Sequence, residues 1–314
     1  MLLLLSRLKR CLAAVTAAVA FAAAVGPVVA AHYDIVLLGG QSNADGRASA
    51  GSLTGPLATP LPDVRFYYGA TDRFPQRVLP RDTWQALAPG AGTDFGPDVS
   101  FGHAIDAALP DRSLAIIKHA RGGTNLFEDW APGGPDHTAF NSTVADALAA
   151  LTAEGHTFRI TAMLWVQGES DMVRGRTGAQ YEADLTTFVG DMRSRYGHDL
   201  PFFVAQASDG QTRLGTSGIA TLQAAQETAT AADDRAYLVS TNGFGMQDDY
   251  LHYDAPGQVQ LGEAFATAYA AVVPEPTTLT SLGLLVMLIP RRRQRSCSRS
   301  RPHRRVGQTY GGKP

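Results

Sequence analysis

The sequence predicts a doubly wound α/β domain with a mainly five-stranded parallel sheet and helices on both faces. Between residues 33 and 272, short apolar runs alternate with longer segments of helical period, as in chains whose strands are buried on both faces. This alternation favours a parallel, three-layer arrangement, because each crossover returns the chain to the same edge of the sheet. The predicted strands are Tyr33–Leu38, Leu114–Lys118, Ile160–Val166, Phe202–Ala207 and Tyr237–Thr241.

Capping signals and apolar spacing predict the helices. The first has Asn141 or Ser142 as its N-cap and ends at Gly155, and the second carries an apolar stripe from Tyr181 to Tyr196. An alanine-rich helix covers about Ile219–Ala231, and the last starts at Pro256 and runs to about residue 272.

The segment from residue 44 to 97 does not fit this alternation. It is rich in glycine and proline and has no helical period, although Val64–Tyr68 and Thr83–Leu87 resemble the strands of a short hairpin. A long irregular insertion in a compact domain usually has a function. Two interpretations stay open, a wall or lid over a site and a plain surface insertion.

The two ends of the chain differ from the domain between them, which spans residues 32–273. Residues 1–31 are typical of a secretory signal, with Arg7, Lys9 and Arg10 before an alanine-rich apolar stretch, although an uncleaved anchor is the alternative. Residues 274–295 place Pro274-Glu275-Pro276 before an apolar segment and an arginine cluster, and 296–314 form a basic tail predicted to be disordered.

That layout resembles the PEP-CTERM sorting signal of bacterial envelope proteins. The resemblance implies delivery to the cell surface or extracellular matrix by sorting and processing machinery. A disordered basic tail with no sorting function is the alternative.

Charge and cysteine content exclude several classes of site. Residues 11–290 hold 29 acidic and 15 basic side chains, a net charge of −14, which argues against a nucleic-acid-binding surface. The two cysteines, Cys11 and Cys297, both lie in the end segments. A disulfide framework, a thiolate nucleophile and a cysteine metal site are therefore not expected in the domain.

Ser42 is the candidate nucleophile. It lies in Gly39-Gly40-Gln41-Ser42-Asn43, directly after the first predicted strand, where glycines allow a sharp turn. Parallel sheets bind ligands at this edge, and an exposed hydroxyl there suits acyl transfer. The alternative is an ordinary strand-to-helix turn in which Ser42 or Asn43 is an N-cap.

His252 is the candidate base, in the loop after the last predicted strand. Asp249, three residues earlier, can orient its Nδ1 and leave Nε2 facing the serine. Asp248 and Asp254 are competitors for the orienting role. A metal site built from these acids and His252 is a further alternative, although the spacing is irregular.

Two further strand ends offer groups that stabilise an oxyanion. His119 to Asn125 contains Gly122-Gly123, where a backbone N–H can approach a ligand closely. Trp165 to Asp171 contains Gln167, whose side-chain amide is a possible donor, and Glu169. Glu169 either supports the histidine or the turn, or caps the next loop.

Five motifs, taken together and in order, resemble the SGNH hydrolase superfamily, and within it the sialate O-acetylesterase-like and carbohydrate esterase family 6 branch. They are GGQSN around Ser42, FGPDVSFG (95–102), KHARGGTNL (118–126), WVQGESD (165–171) and DYLHYDAPGQ (249–258). The resemblance implies that Ser42 is the nucleophile, His252 the general base and then acid, and Asp249 its orienter.

The same resemblance assigns the oxyanion hole to the N–H groups of Ser42 and Gly123 and the Gln167 amide. Supporting roles are expected for Gln41, Asn43 and Glu169, with Asn43 stabilising the turn. Asp98 replaces the glutamate usual in the Gly-Pro-Glu segment, so its carboxylate is one methylene closer to the backbone. The family uses neither a metal nor an organic cofactor.

The expected function is that of a secreted carbohydrate O-acetylesterase acting on an acetylated saccharide by a serine acyl-enzyme route. The alternatives are an SGNH lipase or thioesterase, and a catalytically idle carbohydrate-binding protein of the cell surface. The sequence predicts neither the sugar nor the oligomeric state. Some aromatic side chains either stack on sugar rings or belong to the core: Trp84, Trp130, Phe66, Tyr67 and Tyr68.

Overall fold

The computed structural model describes residues 30–69, 78–90 and 94–273, which lie in one compact unit, Met1–Glu275. Its strands are β1 (His32–Gly40), β2 (Ala48–Ser49), β3 (Leu61–Tyr68), β4 (Trp84–Leu87), β5 (Asp94–Phe95), β6 (Ser113–Ala120), β7 (Thr157–Val166), β8 (Phe202–Ala205) and β9 (Ala236–Val239). Its helices are α1 (Ser42–Asp45), α2 (Pro97–Ala108), α3 (Pro135–Ala153), α4 (Glu169–Val173), α5 (Gly178–Tyr196), α6 (Gly215–Ala231) and α7 (Ala255–Val272). Short 3₁₀ segments occur at Ala50–Ser52, Gly55–Ala58 and Thr212–Leu214.

The predicted signal, sorting segment and basic tail lie outside the described residues, apart from Ala30 and Ala31. Within the described ranges, no helix combines the length and apolar content needed to cross a bilayer.

The main sheet confirms the predicted fold class and has seven strands instead of five. Its order is β4-β3-β6-β1-β7-β8-β9, and the five predicted strands are the parallel set β6-β1-β7-β8-β9. The additional pair comes from the insertion, because β3 pairs with β6 in parallel and β4 pairs with β3 in antiparallel. A separate two-stranded sheet joins β2 and β5.

The strand order places a crevice at the carboxyl end of β1. After β1 the chain forms β3, β4 and β6 on one side and then crosses to β7 on the other, so the connections diverge at β1. In doubly wound sheets, ligands bind at such a switch point.

Alternating residues of β1 supply both layers of the core. Ile35 and Leu37 face one apolar cluster, and Val36 and Leu38 face the other. Helices α2 and α7 cover the second face, whereas α3, α5 and α6 cover the first. Four of the five aromatics considered above are core residues, since Trp130, Phe66, Tyr67 and Tyr68 are at most 3% exposed. Trp84 packs edge-on against Tyr67 and donates to the Ala147 carbonyl.

One helix prediction needs correction, and one long helix was not predicted. Helix α3 begins at Pro135, with Gly134 as its N-cap, so Asn141 and Ser142 lie inside the helix. The Asn141 amide donates to the His137 carbonyl one turn earlier, at 2.8 Å. Helix α2, which begins at Pro97, was not predicted at all. A proline at the first helical position starts both helices, since it has no N–H that needs a partner there.

Candidate active site

The structure brings Ser42, His252 and Asp249 together at the carboxyl edge of the sheet. His252 Nε2 lies 2.9 Å from Ser42 Oγ, and His252 Nδ1 lies 2.5 Å from Asp249 Oδ2. Each ring nitrogen therefore has one partner, in the order that a serine–histidine–aspartate relay requires.

The turn after β1 fixes the position of Ser42. Gly40 has a φ of 139°, and a Cβ there would lie 2.1 Å from the Val166 carbonyl oxygen, so only glycine fits. The Gln41 N–H donates to the same carbonyl at 2.9 Å. Ser42 is then the first residue of α1, with Gln41 in the N-cap position. The alternative in which Ser42 or Asn43 caps the helix is therefore wrong.

Asp249 is held in place by backbone groups as well as by the histidine. Its Oδ1 accepts the N–H groups of Leu251 and His252, both at 3.0 Å. Burial disfavours its charged form, but these hydrogen bonds and the contact with His252 outweigh burial and lower the pKa of Asp249. The carboxylate therefore stays ionised at neutral pH and favours the Nδ1–H form of His252.

The competing acids have other positions. Asp254 is the N-cap of α7, where its Oδ1 accepts the Gly257 N–H at 2.8 Å, and Asp248 is exposed. Across the described ranges, no group of three or more His, Cys, Asp or Glu side chains is placed to hold a metal ion.

Two backbone N–H groups of the cavity lining have no acceptor among the described residues. Neither the Ser42 nor the Gly123 N–H donates to any described residue, and both residues line the same cavity. Gly123 has a φ of 74°, and a Cβ on the adjacent Gly122 would lie 3.6 Å from Ser42 Cβ. This close approach lets the glycine turn offer an N–H beside the nucleophile.

Gln167 does not take the predicted position. Its Nε2 donates to an Asp171 carboxylate oxygen and, at 3.2 Å, to the Thr124 carbonyl. Its side chain is 2% exposed and does not line the cavity. The expected oxyanion amide is directed inward, because buried Asp171 is the stronger acceptor. Gln167 therefore stabilises the Thr124 turn in this structure.

Asn43 belongs to a buried network behind the nucleophile. Its Nδ2 donates to Glu169 Oε1 at 2.7 Å and to the Leu251 carbonyl at 3.1 Å, and its Oδ1 accepts the Tyr253 N–H at 3.2 Å. Gln211 makes the parallel contacts, to Glu169 Oε1 at 2.7 Å and to the Leu251 carbonyl at 3.0 Å. Leu251 precedes His252, so this network fixes the histidine loop relative to the serine turn.

Gln41 and Asp98 extend this support. Gln41 Oε1 accepts the Ser170 N–H at 3.3 Å and the Gly168 N–H at 3.4 Å, which joins the turn to the end of β7. Asp98, although shorter than the usual glutamate, reaches Lys118 Nζ at 2.6 Å. Lys118 Nζ also donates to the Asp45 carbonyl at 2.7 Å, so this buried pair anchors the end of α1.

A cavity of about 720 Å³ opens over the triad. Its lining includes one residue of the insertion, Arg47, so the insertion contributes to the wall. The lining residues are Gln41, Ser42, Arg47, Gly122, Gly123, Glu169, Ser170, Val173, Arg174, Arg213, Gln247, Asp249, Leu251 and His252.

The family comparison agrees with this geometry. The family model described as carbohydrate esterase, sialic acid-specific acetylesterase, matches residues 32–271. The chain belongs to this family. Membership supports a carbohydrate esterase and accounts for nearly all of the described residues.

Individual relatives are similar to this chain in sequence and in fold. A sequence relative, Probable carbohydrate esterase At4g34215 of Arabidopsis thaliana, is 26% identical over 178 residues, which span 55% of this chain and 63% of that protein. The X-ray structure of the same plant protein has a TM-score of 0.61 at 21% identity, covering 77% of this chain and 99% of that one.

Two bacterial structures share the fold as well. The carbohydrate acetylesterase XAC1771 from Xanthomonas citri has a TM-score of 0.58 at 19% identity, covering 76% of this chain and 56% of that one. NanS has a TM-score of 0.56 at 13% identity, covering 76% and 96% of the respective chains.

One residue of the network behind the nucleophile, Gln211, was not predicted from the sequence. Gln211 ends a polar turn, Ser208-Asp209-Gly210-Gln211, shortly after β8. That turn has the glycine-bearing composition of the other four strand ends, and this signal was sufficient to identify it.

Proposed function

We propose that this carbohydrate esterase removes acetyl groups from a saccharide through a serine acyl-enzyme. The observation that carries the proposal is the Ser42–His252–Asp249 alignment, with hydrogen bonds of 2.9 and 2.5 Å beside two N–H groups that have no acceptor among the described residues. Family membership supports the substrate class.

In the first half-reaction, Ser42 Oγ attacks the acetyl carbonyl carbon while His252 Nε2 takes the hydroxyl proton. The N–H groups of Ser42 and Gly123 stabilise the negative oxygen of the tetrahedral intermediate. The C–O bond to the sugar then breaks, and the sugar oxygen leaves with the proton from His252. Asp249 stabilises the imidazolium between these steps.

In the second half-reaction, water replaces the sugar. His252 accepts a proton from the water as its oxygen attacks the acetyl-serine carbonyl carbon. Collapse of the second tetrahedral intermediate releases acetic acid and returns the proton from His252 to Ser42 Oγ. The enzyme ends in its starting protonation state, with one ester and one water consumed.

The test is the Ser42→Ala variant, assayed for acetate release from p-nitrophenyl acetate and from acetylated xylan. Loss of the nucleophile should lower kcat at least about 10³-fold, with an unchanged midpoint of urea unfolding. Ser194→Ala, an exposed serine on α5, is the matched control and should retain full activity. Near-wild-type hydrolysis by Ser42→Ala would exclude the mechanism, and a preference for long acyl chains would redirect it towards a lipase or thioesterase.

We also propose export to the cell surface. The signal-like residues 1–31 and the Pro-Glu-Pro segment followed by apolar and basic residues support it. Cell fractionation together with mass spectrometry of the mature ends is the test. Intact ends on a cytosolic protein would contradict this proposal.

A further inference from the structure

Four residues of the cavity lining carry a carboxylate or amide oxygen, and three of these side chains are already used within the protein. Gln41 Oε1 accepts two backbone N–H groups, and both oxygens of Asp249 are hydrogen-bonded. Glu169 Oε1 accepts two side-chain amides, and its Oε2 is buried away from solvent. Gln247 differs, because its Oε1 has no donor among the described residues and is not closed off from solvent.

Two backbone carbonyls fix the orientation of the Gln247 amide. Its Nε2 donates to the Arg47 carbonyl at 2.7 Å and to the Tyr253 carbonyl at 3.0 Å. A carbonyl oxygen can only accept, so the NH₂ end of the amide must face both partners. Both N–H bonds of the amide are therefore used, and the remaining polar atom, Oε1, is a pure acceptor.

Gln247 lies opposite His252 in a short antiparallel pair. The Gln247 N–H donates to the His252 carbonyl at 2.8 Å, and Met246 forms an antiparallel bridge with Tyr253 one position further along. Directly opposed residues of an antiparallel pair place their side chains on the same face. Both side chains also line the cavity. The acceptor is therefore on the same wall as the histidine that carries the proton.

This position determines which part of a substrate the acceptor can meet. In the proposed mechanism, His252 gives its proton to the sugar oxygen that leaves, so this oxygen comes within hydrogen-bonding reach of Nε2. In a saccharide, the neighbouring ring carbon carries either a free hydroxyl or a second acetyl group. A hydroxyl can donate to an amide oxygen, whereas an acetylated oxygen has no hydrogen to donate.

We propose that Gln247 Oε1 accepts a hydrogen bond from a free hydroxyl next to the acetylated position of the sugar. The enzyme then favours saccharides with isolated acetyl groups over saccharides that are acetylated at adjacent positions. This inference rests on the proposed esterase function and adds to it the neighbouring group that the substrate carries and the residue that recognises this group.

The test uses three small acetyl esters that differ in the neighbouring group: the monoacetate of a vicinal cyclohexanediol, the methyl ether of that monoacetate, and cyclohexyl acetate. The cis and trans isomers are both measured, and each kcat/KM is divided by the rate of alkaline hydrolysis of the same ester, which removes differences in intrinsic reactivity. A neutral hydrogen bond contributes about 1 kcal/mol, so in at least one isomer the hydroxy ester should exceed both other esters about fivefold.

Two variants test Gln247 through the ratio of the hydroxy ester to its methyl ether. Gln247→Met removes both ends of the amide, and Gln247→Lys keeps donors for the two carbonyls but has no acceptor. Each substitution should abolish the preference for the hydroxy ester. A purely structural role would lower the hydrolysis of all esters by the same factor, which p-nitrophenyl acetate measures separately because its leaving group has no hydroxyl.

Gln85→Met is the matched control. Gln85 lies on β4, outside the cavity lining, and its Nε2 also donates to a backbone carbonyl, that of Pro80 at 2.8 Å. This variant should keep the wild-type ratio.

The outcomes separate this inference from the proposed function. If the wild-type enzyme hydrolyses p-nitrophenyl acetate but shows no preference for the hydroxy ester in either isomer, only this inference fails. If no acetyl ester is hydrolysed at all, the esterase proposal itself fails. A preference that persists in both Gln247→Met and Gln247→Lys would assign the recognition to another acceptor and also overturn the inference.

Discussion

Ser42 and Asn43 are consecutive residues of α1 that belong to opposite kinds of environment. Ser42 faces the cavity, where its Oγ contacts His252 and its own backbone N–H has no acceptor among the described residues. Asn43 faces the interior, is 0% exposed and uses both ends of its amide in hydrogen bonds. We call these the front and the back of the nucleophile turn.

Under the proposed mechanism, this difference separates the reacting groups from the groups that position them. Groups that take part in the reaction need unused hydrogen-bonding capacity, because an N–H that already has an acceptor cannot stabilise a new oxyanion. Positioning groups need the reverse, since each filled hydrogen bond removes a competing conformation. Front substitutions should therefore act mainly on activity, and back substitutions should lower stability as well.

The largest effect is expected at the front, for Asp249→Asn. An amide facing Nδ1 favours the wrong tautomer of His252, so kcat should fall about 10³- to 10⁴-fold, with little change in the urea midpoint. Steady-state hydrolysis of p-nitrophenyl acetate measures the fall. Asp248→Asn, the adjacent exposed acid, is the control and should keep wild-type activity. Equal losses in the two variants would show that Asp249 has no special role.

The next effect is at the back, for Asn43→Ala. The substitution leaves the buried Tyr253 N–H without its acceptor and takes one donor from Glu169, so the free energy of unfolding should fall by about 3 kcal/mol. Urea unfolding monitored by circular dichroism gives the value. Asn242→Ala is the control, because it removes an exposed asparagine whose Oδ1 accepts two hydrogen bonds. This substitution should lower the free energy of unfolding by less than about 1 kcal/mol. A smaller loss for Asn43→Ala than for this control would refute the distinction between front and back.

The sequence was sufficient to predict that Ser42, His252 and Asp249 lie together, and insufficient for Gln167 and for much of the back. Ser42, Asp249 and His252 sit in strand-end turns whose glycines and polar residues are local signals. The contacts of Gln167 and Gln211 depend on which buried acceptor lies nearest, Asp171 in one case and Glu169 in the other. Tertiary packing decides which acceptor is nearest, and no pattern of residue spacing in the sequence predicts it.

The same limit applies to the fold. Five strands were identified from continuous apolar runs, whereas the docking of β3 on β6 joins segments about 50 residues apart. Register between such distant strands is set by shared burial of both faces, which a local pattern does not encode. The start of α3 is different, because a local signal was present. Pro135 marks the first helical position, whereas the prediction placed the N-cap at Asn141 or Ser142.

Gln211→Leu should give an intermediate effect. Its two donors hold Glu169 and the Leu251 carbonyl, so their loss should loosen the histidine loop and lower kcat about tenfold, with KM nearly unchanged. A loss of stability of about 1 to 3 kcal/mol should accompany it. Gln223→Leu, which removes a glutamine that also donates twice but from α6, is the control and should leave kcat unaltered. If KM rose while kcat held, Gln211 would act on substrate binding instead of loop position.

The smallest effect concerns two aspartates whose pKa values move in opposite directions. At the back, burial raises the pKa of Asp171 from 3.8 to about 6, and the hydrogen bonds from Gln167 and Leu126 offset only part of this. Between about pH 4 and 6 the folded state then binds more protons at this site than the unfolded state, so its contribution to stability falls as pH rises. At the front, Asp249 has a lowered pKa, so its contribution to stability is present above pH 3.8 and is lost only as pH falls below that value.

The free energy of unfolding of Asp171→Asn, measured relative to the wild-type protein, should therefore rise through the pH 4 to 6 window by at most about 1.4 kcal/mol per pH unit. Asp249→Asn should give a flat difference in the same window, and a flat difference for both variants would mean that Asp171 ionises normally in the fold.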